Sequence, residues 1–414
     1  MKRLFLFTLA LALWSGLALG QVVSKSQVTT DANVLAGEAW VVTDPNASQT
    51  VAVIWLATRN RSNPVNFNNP GYCGVAVSTD GGQTWTRNQL PFKEVTGPQS
   101  VSGVGHAPIC GDPVAGVGPN GDLYAAAANV GSPHWTQSVT STDGGKTWSE
   151  PAEVFGVSQQ VASAMANMAV TDIGMGRAYM AVDPNTGEIS VHSQVDAPTT
   201  GRMITFSTDR GATWSTPRPV GSTGAGPHAS AHGKVGVAYV SDGNVVFQTT
   251  TDQGQHWDPK NVTSSDAAVG LFGGPAVAAD PSQAGRFAVL LSRGDSREVW
   301  VTTDSGDSWA STVVAQGPFT MSGIAYSPSG ALGVVWRTSR TNGAVRARVS
   351  PDGGTTFGDV VELATGVTAG PTPGDDCACN LHLDATYLSA TWSDDVDGAS
   401  QIFYGRFDYT TGQD

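Results

Sequence analysis

The sequence predicts an all-β protein assembled from one strand unit repeated along the chain. Three observations predict it. The 414 residues include 50 Gly and 23 Pro, too many for a helical protein, while 40% hydrophobic against 14% charged residues is too apolar for a disordered one. One phrase, Ser/Thr-x-Asp-x-Gly-x-x-aromatic, recurs six times. Ahead of several copies stand strand, Pro/Gly turn and strand again, as in Asp112-Pro-Val-Ala-Gly-Val-Gly-Pro-Asn-Gly-Asp-Leu-Tyr124, in Ala276 to Phe287 and in Ile324 to Trp336.

In chain order, the basic start Met1-Lys2-Arg3, the apolar run Leu4 to Leu17 and the small-residue step Ala18-Leu19-Gly20 read as a secretory leader, residues 1–20, cleaved before Gln21. Residues 21–414 are then one exported domain, secreted or periplasmic. No Cys follows the cleavage site to carry a lipid, and no later stretch reaches the ~18 apolar residues of a membrane helix. The formal charge is −13, from 22 Lys and Arg against 35 Asp and Glu, and loss of Lys2 and Arg3 makes it more negative. That excludes a nucleic-acid partner, which needs a basic face to displace counterions. A monomer is expected.

The six repeats carry their aspartates at Asp80, Asp143, Asp209, Asp252, Asp304 and Asp352. The pattern is the chemistry of a tight hairpin. Asp accepts backbone N–H groups inside the turn, Gly supplies left-handed backbone, and the terminal Trp or Phe anchors the turn on neighbouring sheet. A carboxylate occupied by its own turn is not free for proton transfer, so these six are structural.

The repeats resemble the Asp box, or bacterial neuraminidase repeat, of the sialidase superfamily, and the resemblance implies a β-propeller of four-stranded blades. The box aspartates recur about every 54 residues, so seven blades fit the mature chain, with the six blades of the catalytic sialidases as the alternative. A seventh strand set, Leu381 to Trp392 and Gln401 to Phe407, ends before a box can follow it. Val22 to Thr30, strand-like and without a partner, is expected to close the ring as that blade's outer strand.

In such a blade the 1–2 and 3–4 turns emerge on one face and the 2–3 and 4–1 loops on the other, where the superfamily binds ligand. Trp55-Leu-Ala-Thr-Arg59, Trp336-Arg337-Thr-Ser-Arg340 and Leu291-Ser-Arg293 bring guanidinium groups to strand-2 ends, suited to the acidic group of a glycan. Asp394 and Asp395 follow Trp392 in the same sector and are the candidate acids, since crowded carboxylates raise one another's pKa; a solvated turn or a cation loop is the other reading of that stretch. Trp135 is placed to stack on a sugar ring, and His228 and His232 to line the central opening. Trp55, Trp336 and Trp392 hold equivalent strand positions and read as core between blades.

A working sialidase also needs an arginine triad, a Tyr nucleophile with its Glu, and a separate Asp acid. The family's Arg-Ile-Pro is absent, and Ala57-Thr-Arg59-Asn-Arg61 stands there instead. Tyr72, Tyr387 and Tyr404 read better as strand residues, and of the glutamates only Glu38, Glu298 and Glu94 fall near the ligand face. Two functions stay open: a glycoside hydrolase of the sialidase type acting on an anionic glycan, or a catalytically silent propeller that binds glycan or protein. Cys73 and Cys110 are the natural disulfide, Cys110 with Cys379 the competing pairing, and Cys377 and Cys379 form a Cys-x-Cys step. Export favours disulfides over a metal site at Cys377, Cys379, His382 and His106, so no metal and no cofactor is expected.

Overall fold

The structure, a computed structural model, describes residues 22–58, 72–93, 110–128, 136–155, 175–195, 201–221, 226–264, 275–370 and 380–411. The leader at 1–20 lies outside them. Every regular element among the described residues is a strand, and the strands form seven antiparallel four-stranded sheets. The blades run 35–89, 111–155, 175–219, 229–264, 276–316 and 321–367, and the seventh combines 380–408 with 22–27. The strand Val22–Gln27 pairs antiparallel with Ala399–Asp408, placing Lys25 opposite Gly405 and Ser26 opposite Tyr404. The ring therefore closes with seven blades through its amino-terminal strand, and the six-bladed alternative falls away.

The first strands of the blades neighbour one another around the axis, and the hydrophobic core divides into seven clusters, one at each blade-to-blade junction. Trp55, Trp336 and Trp392 are buried in three of them. A blade is a thin twisted sheet with two faces to cover, so each face packs on a neighbour, and closure of the circle leaves no blade with a bare side.

The six Asp boxes form the turns between third and fourth strands. In the first, Asp80 Oδ1 accepts the N–H groups of Gln83 and Thr84 (both 2.9 Å) and Oδ2 accepts Thr84 Oγ1–H (2.6 Å). Ser78 Oγ donates to Asp80 (2.7 Å) and accepts Gly82 N–H (2.7 Å). The same bonds recur at Asp143, Asp304 and Asp352. Bonds led by the Thr84, Thr147 and Ser308 hydroxyls hold Asp80, Asp143 and Asp304 down at about 2. These carboxylates belong to their turns, as the residue pattern requires.

Each box also reaches back to the preceding blade. Trp85 stacks edge-on against Tyr404 (5.3 Å) and donates to Ser26 Oγ (2.8 Å). Trp309 meets Phe247 edge-on (5.3 Å), and Trp257 donates to Pro219 O (3.2 Å). The residue after the box Asp is left-handed in all six boxes, as Gly81, Gly144, Arg210, Gln253, Ser305 or Gly353. Where it carries a side chain it clasps the previous blade: Arg210 pairs with Asp122, Gln253 donates to Glu188 (2.6 Å), and Ser305 Oγ accepts from Lys234 (2.7 Å).

A substitution pair separates backbone strain from packing at these turns. A Cβ at Gly82 (φ 86°) would lie 2.2 Å from Tyr404 Cε1, whereas at Gly144 (φ 72°) it would meet nothing within 4 Å. Gly144→Ala should cost about 1 kcal/mol of backbone strain, and Gly82→Ala that plus a further ~1–3 kcal/mol of overpacking. Urea unfolding of the two variants checks this, and equal losses would show that the box does not press on the preceding blade.

Candidate functional site

The face opposite the boxes carries the starts of first strands and the ends of second strands. The longer connections 59–71, 94–109, 129–135, 156–174, 265–274 and 371–379 all join strand ends on this face and lie outside the described residues. Arg59, Trp135, His106, Cys377 and Cys379 fall in them. At the root of two of these connections, Cys73 opens a third strand and Cys110 precedes a first strand, and the two form a disulfide with Cα atoms 5.3 Å apart.

The described arginines of this rim are divided between two sectors. Arg293 Nε pairs with Glu298 (3.3 Å) and its Nη2 donates to Thr263 of blade four (2.9 Å), while Trp300 also donates to Glu298 (3.0 Å). Arg337 is 1% exposed and spends its guanidinium on the carbonyls of Ser339 (2.8 Å), Ser393 (3.2 Å) and Arg340 (3.2 Å). It thus clasps blade six to blade seven and fixes the turn that carries Arg340. Asp394 accepts Thr368 N–H (2.9 Å) across the same seam, and Asp395 is exposed beside it. Arg293, at the junction of blades four and five, is not part of that group.

The unexpected feature lies nearer the axis. The first strands of blades one, two and three each carry a β-bulge near their starts, between Gly37 and Trp40, Gly111 and Val114, and Gly176 and Tyr179. The residue after the glycine is Glu38, Asp112 and Arg177 respectively. Nine non-Gly residues among those described have positive φ; seven sit in turns, and the other two are Glu38 (φ 54°) and Asp112 (φ 45°), inside strands. Left-handed backbone costs an L-residue about 1–2 kcal/mol, and strain of this kind gathers where a side chain must be aimed. The two are neighbours, since Asp112 N–H donates to Glu38 Oε2 (2.9 Å). A Gly-acid pair at the same strand position in two successive blades is the sequence signal that finds them, and it is invisible until the blades are aligned on their strands.

Around the axis runs a cavity of about 550 Å³. Its walls are chiefly Val, Ala, Ile, Leu and Met of the first strands, and prolines from the 1–2 turns of five blades line it toward the box face. His228 lines it and His232 does not. His228 belongs to a buried cluster at the junction of blades three and four: its Nε2 meets Ser190 Oγ (2.8 Å), its ring lies edge-on to His192 (4.6 Å), and Arg202 approaches His192 Nδ1 (3.5 Å) and the Tyr179 ring (5.2 Å). Burial lowers the His228 pKa to about 3 and that of His192 well below 6.5, so both rings are neutral. Among the described residues no cluster of three or more His, Cys, Asp or Glu side chains has metal-binding geometry, and no helix is long and apolar enough to cross a membrane.

Comparison with known proteins gives four matches. The BNR/Asp-box repeat matches residues 76–87 and 139–150. A xyloglucanase from Paenibacillus sp. is 29% identical over 272 residues, which is 62% of this chain and 25% of that enzyme, so the chain spans about a quarter of the length of this relative. The solved structure of Hadza microbial sialidase Hz136 matches with a TM-score of 0.52 at 16% identity, over 87% of this chain and 77% of that one. A point variant of the NanB sialidase from Streptococcus pneumoniae matches with a TM-score of 0.50 at 8% identity, over 95% of this chain and 100% of that one. At such identities the structural likeness is one of fold.

Proposed function

For this chain, an Asp-box β-propeller of seven blades, we propose the function of an exported glycoside hydrolase that cleaves a glycan on the face opposite its boxes, with Glu38 and Asp112 as the carboxylate pair. The observation that carries the reading is the coincidence of two acids, hydrogen-bonded to each other through a backbone N–H and both held left-handed within strands. Glycosidic cleavage asks for two carboxylates about the scissile bond. Glu38, whose anion receives the Asp112 N–H, is the base or nucleophile; Asp112 is the proton donor to the leaving oxygen. The C–O bond breaks as that oxygen takes the Asp112 proton; with inversion, water attacks the anomeric carbon and gives its proton to Glu38, and with retention Glu38 itself bonds the anomeric carbon and is then displaced by water that gives its proton to Asp112. Similarity to a xyloglucanase and the shared sialidase fold support a glycan substrate.

The competing assignment follows the outer rim. There Asp394 or Asp395 supplies the acid, Arg59 and Arg340 hold the acidic group of an anionic glycan, since Arg293 is turned to Glu298 and Thr263 and Arg337 to three carbonyls, and Trp135 stacks on a sugar ring; exposure of Asp395 favours it. A silent binding propeller is the third possibility. The mature protein is assayed on xyloglucan oligosaccharides, aryl glycosides of neutral and uronic sugars, and a fluorogenic sialoside. Glu38→Gln and Asp112→Asn should each lower kcat at least 10³-fold while Asp394→Asn and Asp395→Asn leave it within twofold. The opposite pattern assigns the acid to the outer rim, and glycan binding without turnover of any substrate makes the protein a binding module.

A further inference from the structure

The wall of the axial cavity contains a charge that no other described residue neutralises. Four arginines among the described residues are buried: Arg202, Arg297, Arg337 and Arg406. Arg406 faces Asp384 (3.5 Å) and lies over the Tyr387 ring (3.6 Å), Arg337 gives its N–H groups to three carbonyls, and Arg202 meets His192 and Tyr179. Arg297 is different. It is 6% exposed, its Nε has no hydrogen-bond partner, no hydrogen bond or ion pair to its side chain occurs among the described residues, and its guanidinium lies over the Phe319 ring at 4.6 Å. It opens the third strand of blade five, opposite Ser292, and lines the cavity at its open-face end with Thr320.

No other described residue of the cavity supplies an anion. No Asp or Glu lines it among the described residues, although the chain has 35 of them, and its two histidines, His228 and His382, are pushed toward their neutral forms by burial. An uncompensated buried cation is costly and is tolerated where a ligand completes it. A guanidinium offers a planar fork that matches a carboxylate, and the rest of the wall is chiefly Val, Ala, Leu and Pro, with scattered hydroxyl, amide and aromatic side chains. A volume of about 550 Å³ is that of a small-molecule site.

We infer that the axial cavity is a binding site for an amphiphilic monocarboxylate, its acid group held by Arg297 beside Phe319 at the open-face mouth and its apolar body lying along the ring axis. The site is separate from Glu38 and Asp112, which do not line the cavity, and holds whether or not the chain hydrolyses glycans. It also differs from the outer arginine rim: a sugar acid, hydroxylated on every side, is a poor match for walls that are mostly apolar, whereas a medium-chain acid suits both the guanidinium and the apolar length of the cavity.

Calorimetric titration of the mature protein with sodium decanoate, well below its micellar range, tests the site. One equivalent should bind, and decanol, identical but uncharged, should bind at least 10-fold more weakly. Arg297→Gln should weaken decanoate at least 10-fold without changing decanol, Arg297→Lys should fall between, and Arg293→Gln and Glu38→Gln should leave decanoate binding unaltered. Decanoate should raise the melting temperature of the native protein and not that of Arg297→Gln. Equal affinity for decanoate and decanol, binding of many equivalents, or decanoate affinity untouched in Arg297→Gln would each overturn the assignment. The comparison of acid with alcohol uses the unaltered protein and so stands if a variant does not fold.

Discussion

Deletion of Val22–Gln27 is expected to open the ring and to lower the melting temperature by roughly 10 °C or more. The strand is short, but it makes both the outer edge of blade seven and the seam to blade one. It pairs with Ala399–Asp408, Ser26 Oγ donates to Gly82 O (2.6 Å) in the first Asp box, and Trp85 of that box donates to Ser26. Just beyond it Val28, fully buried, receives Arg87 Nε on its carbonyl and donates its own N–H to Ile402 O (2.8 Å). At about 1 kcal/mol per net hydrogen bond, the ladder and its clasps sum to about 5 kcal/mol or more, and each kcal/mol moves the midpoint of a domain this large by about 2 °C. The exposed edge of the carboxy-terminal strand would then pair with another chain. A peptide of sequence Val22 to Thr30 added to the truncated protein should restore the melting temperature by strand addition. Thermal unfolding with and without the peptide is the measurement. A truncated chain that melts with the parent would mean that blade seven is complete with three strands.

The second large effect is with pH. His192 and His228 are buried, and burial holds the His228 pKa at about 3 and that of His192 well below 6.5. Burial comes first in disfavouring a proton, the two rings face each other and Arg202 stands near both; the Gly226 carbonyl at His192 and the Ser190 bond at His228 pull the other way and are outweighed, and no negative charge faces either ring. In the unfolded chain both titrate near 6.5. Below that value the unfolded state binds protons that the native state refuses, so stability present above about pH 6.5 is lost as pH falls toward the folded values. Each histidine contributes at most about 1.4 kcal/mol per pH unit, so the pair removes roughly 5 kcal/mol between pH 6.5 and 4.5, comparable with the whole stability of an ordinary domain. His382, half-buried with its pKa lowered to about 4, acts in the same direction. The box aspartates act lower, since their folded values lie below the ordinary carboxylate range and their contribution is lost only under about pH 4. Urea-unfolding free energies measured from pH 7 to pH 4 should fall with a slope of two or more protons, and His192→Gln and His228→Gln should each remove about one. A slope unchanged in both variants would place the acid sensitivity elsewhere.

The division of the candidate sites has a common cause. Arg337 was conspicuous in the sequence because a basic residue beside an aromatic at a strand end suggests a ligand; the fold turns it into a clasp for three carbonyls. Glu38 stood out only as one of three glutamates near the ligand face and Asp112 not at all, because a lone acid after a glycine has no local signature. Only the added bulge residue, read from strand pairing, shows that both are lifted out of the pleat at the same depth of adjacent blades. Arg297 escaped notice for a related reason, since whether a guanidinium has a counterion depends on which strands surround it.

What the sequence determined by itself was the repeat and everything local to it. The six turns, their hydroxyl-capped aspartates and the anchoring aromatics follow from residues within a few positions of one another, since turn chemistry is set by local dihedrals and hydrogen bonds, while the spacing of the boxes favoured seven blades over six and left the last one short of a strand. The tertiary structure alone decided which charges are paired and which face a void. Pairing depends on residues brought together from blades far apart in the chain, and desolvation, which sets the worth of each charge, exists only once those blades have closed around it.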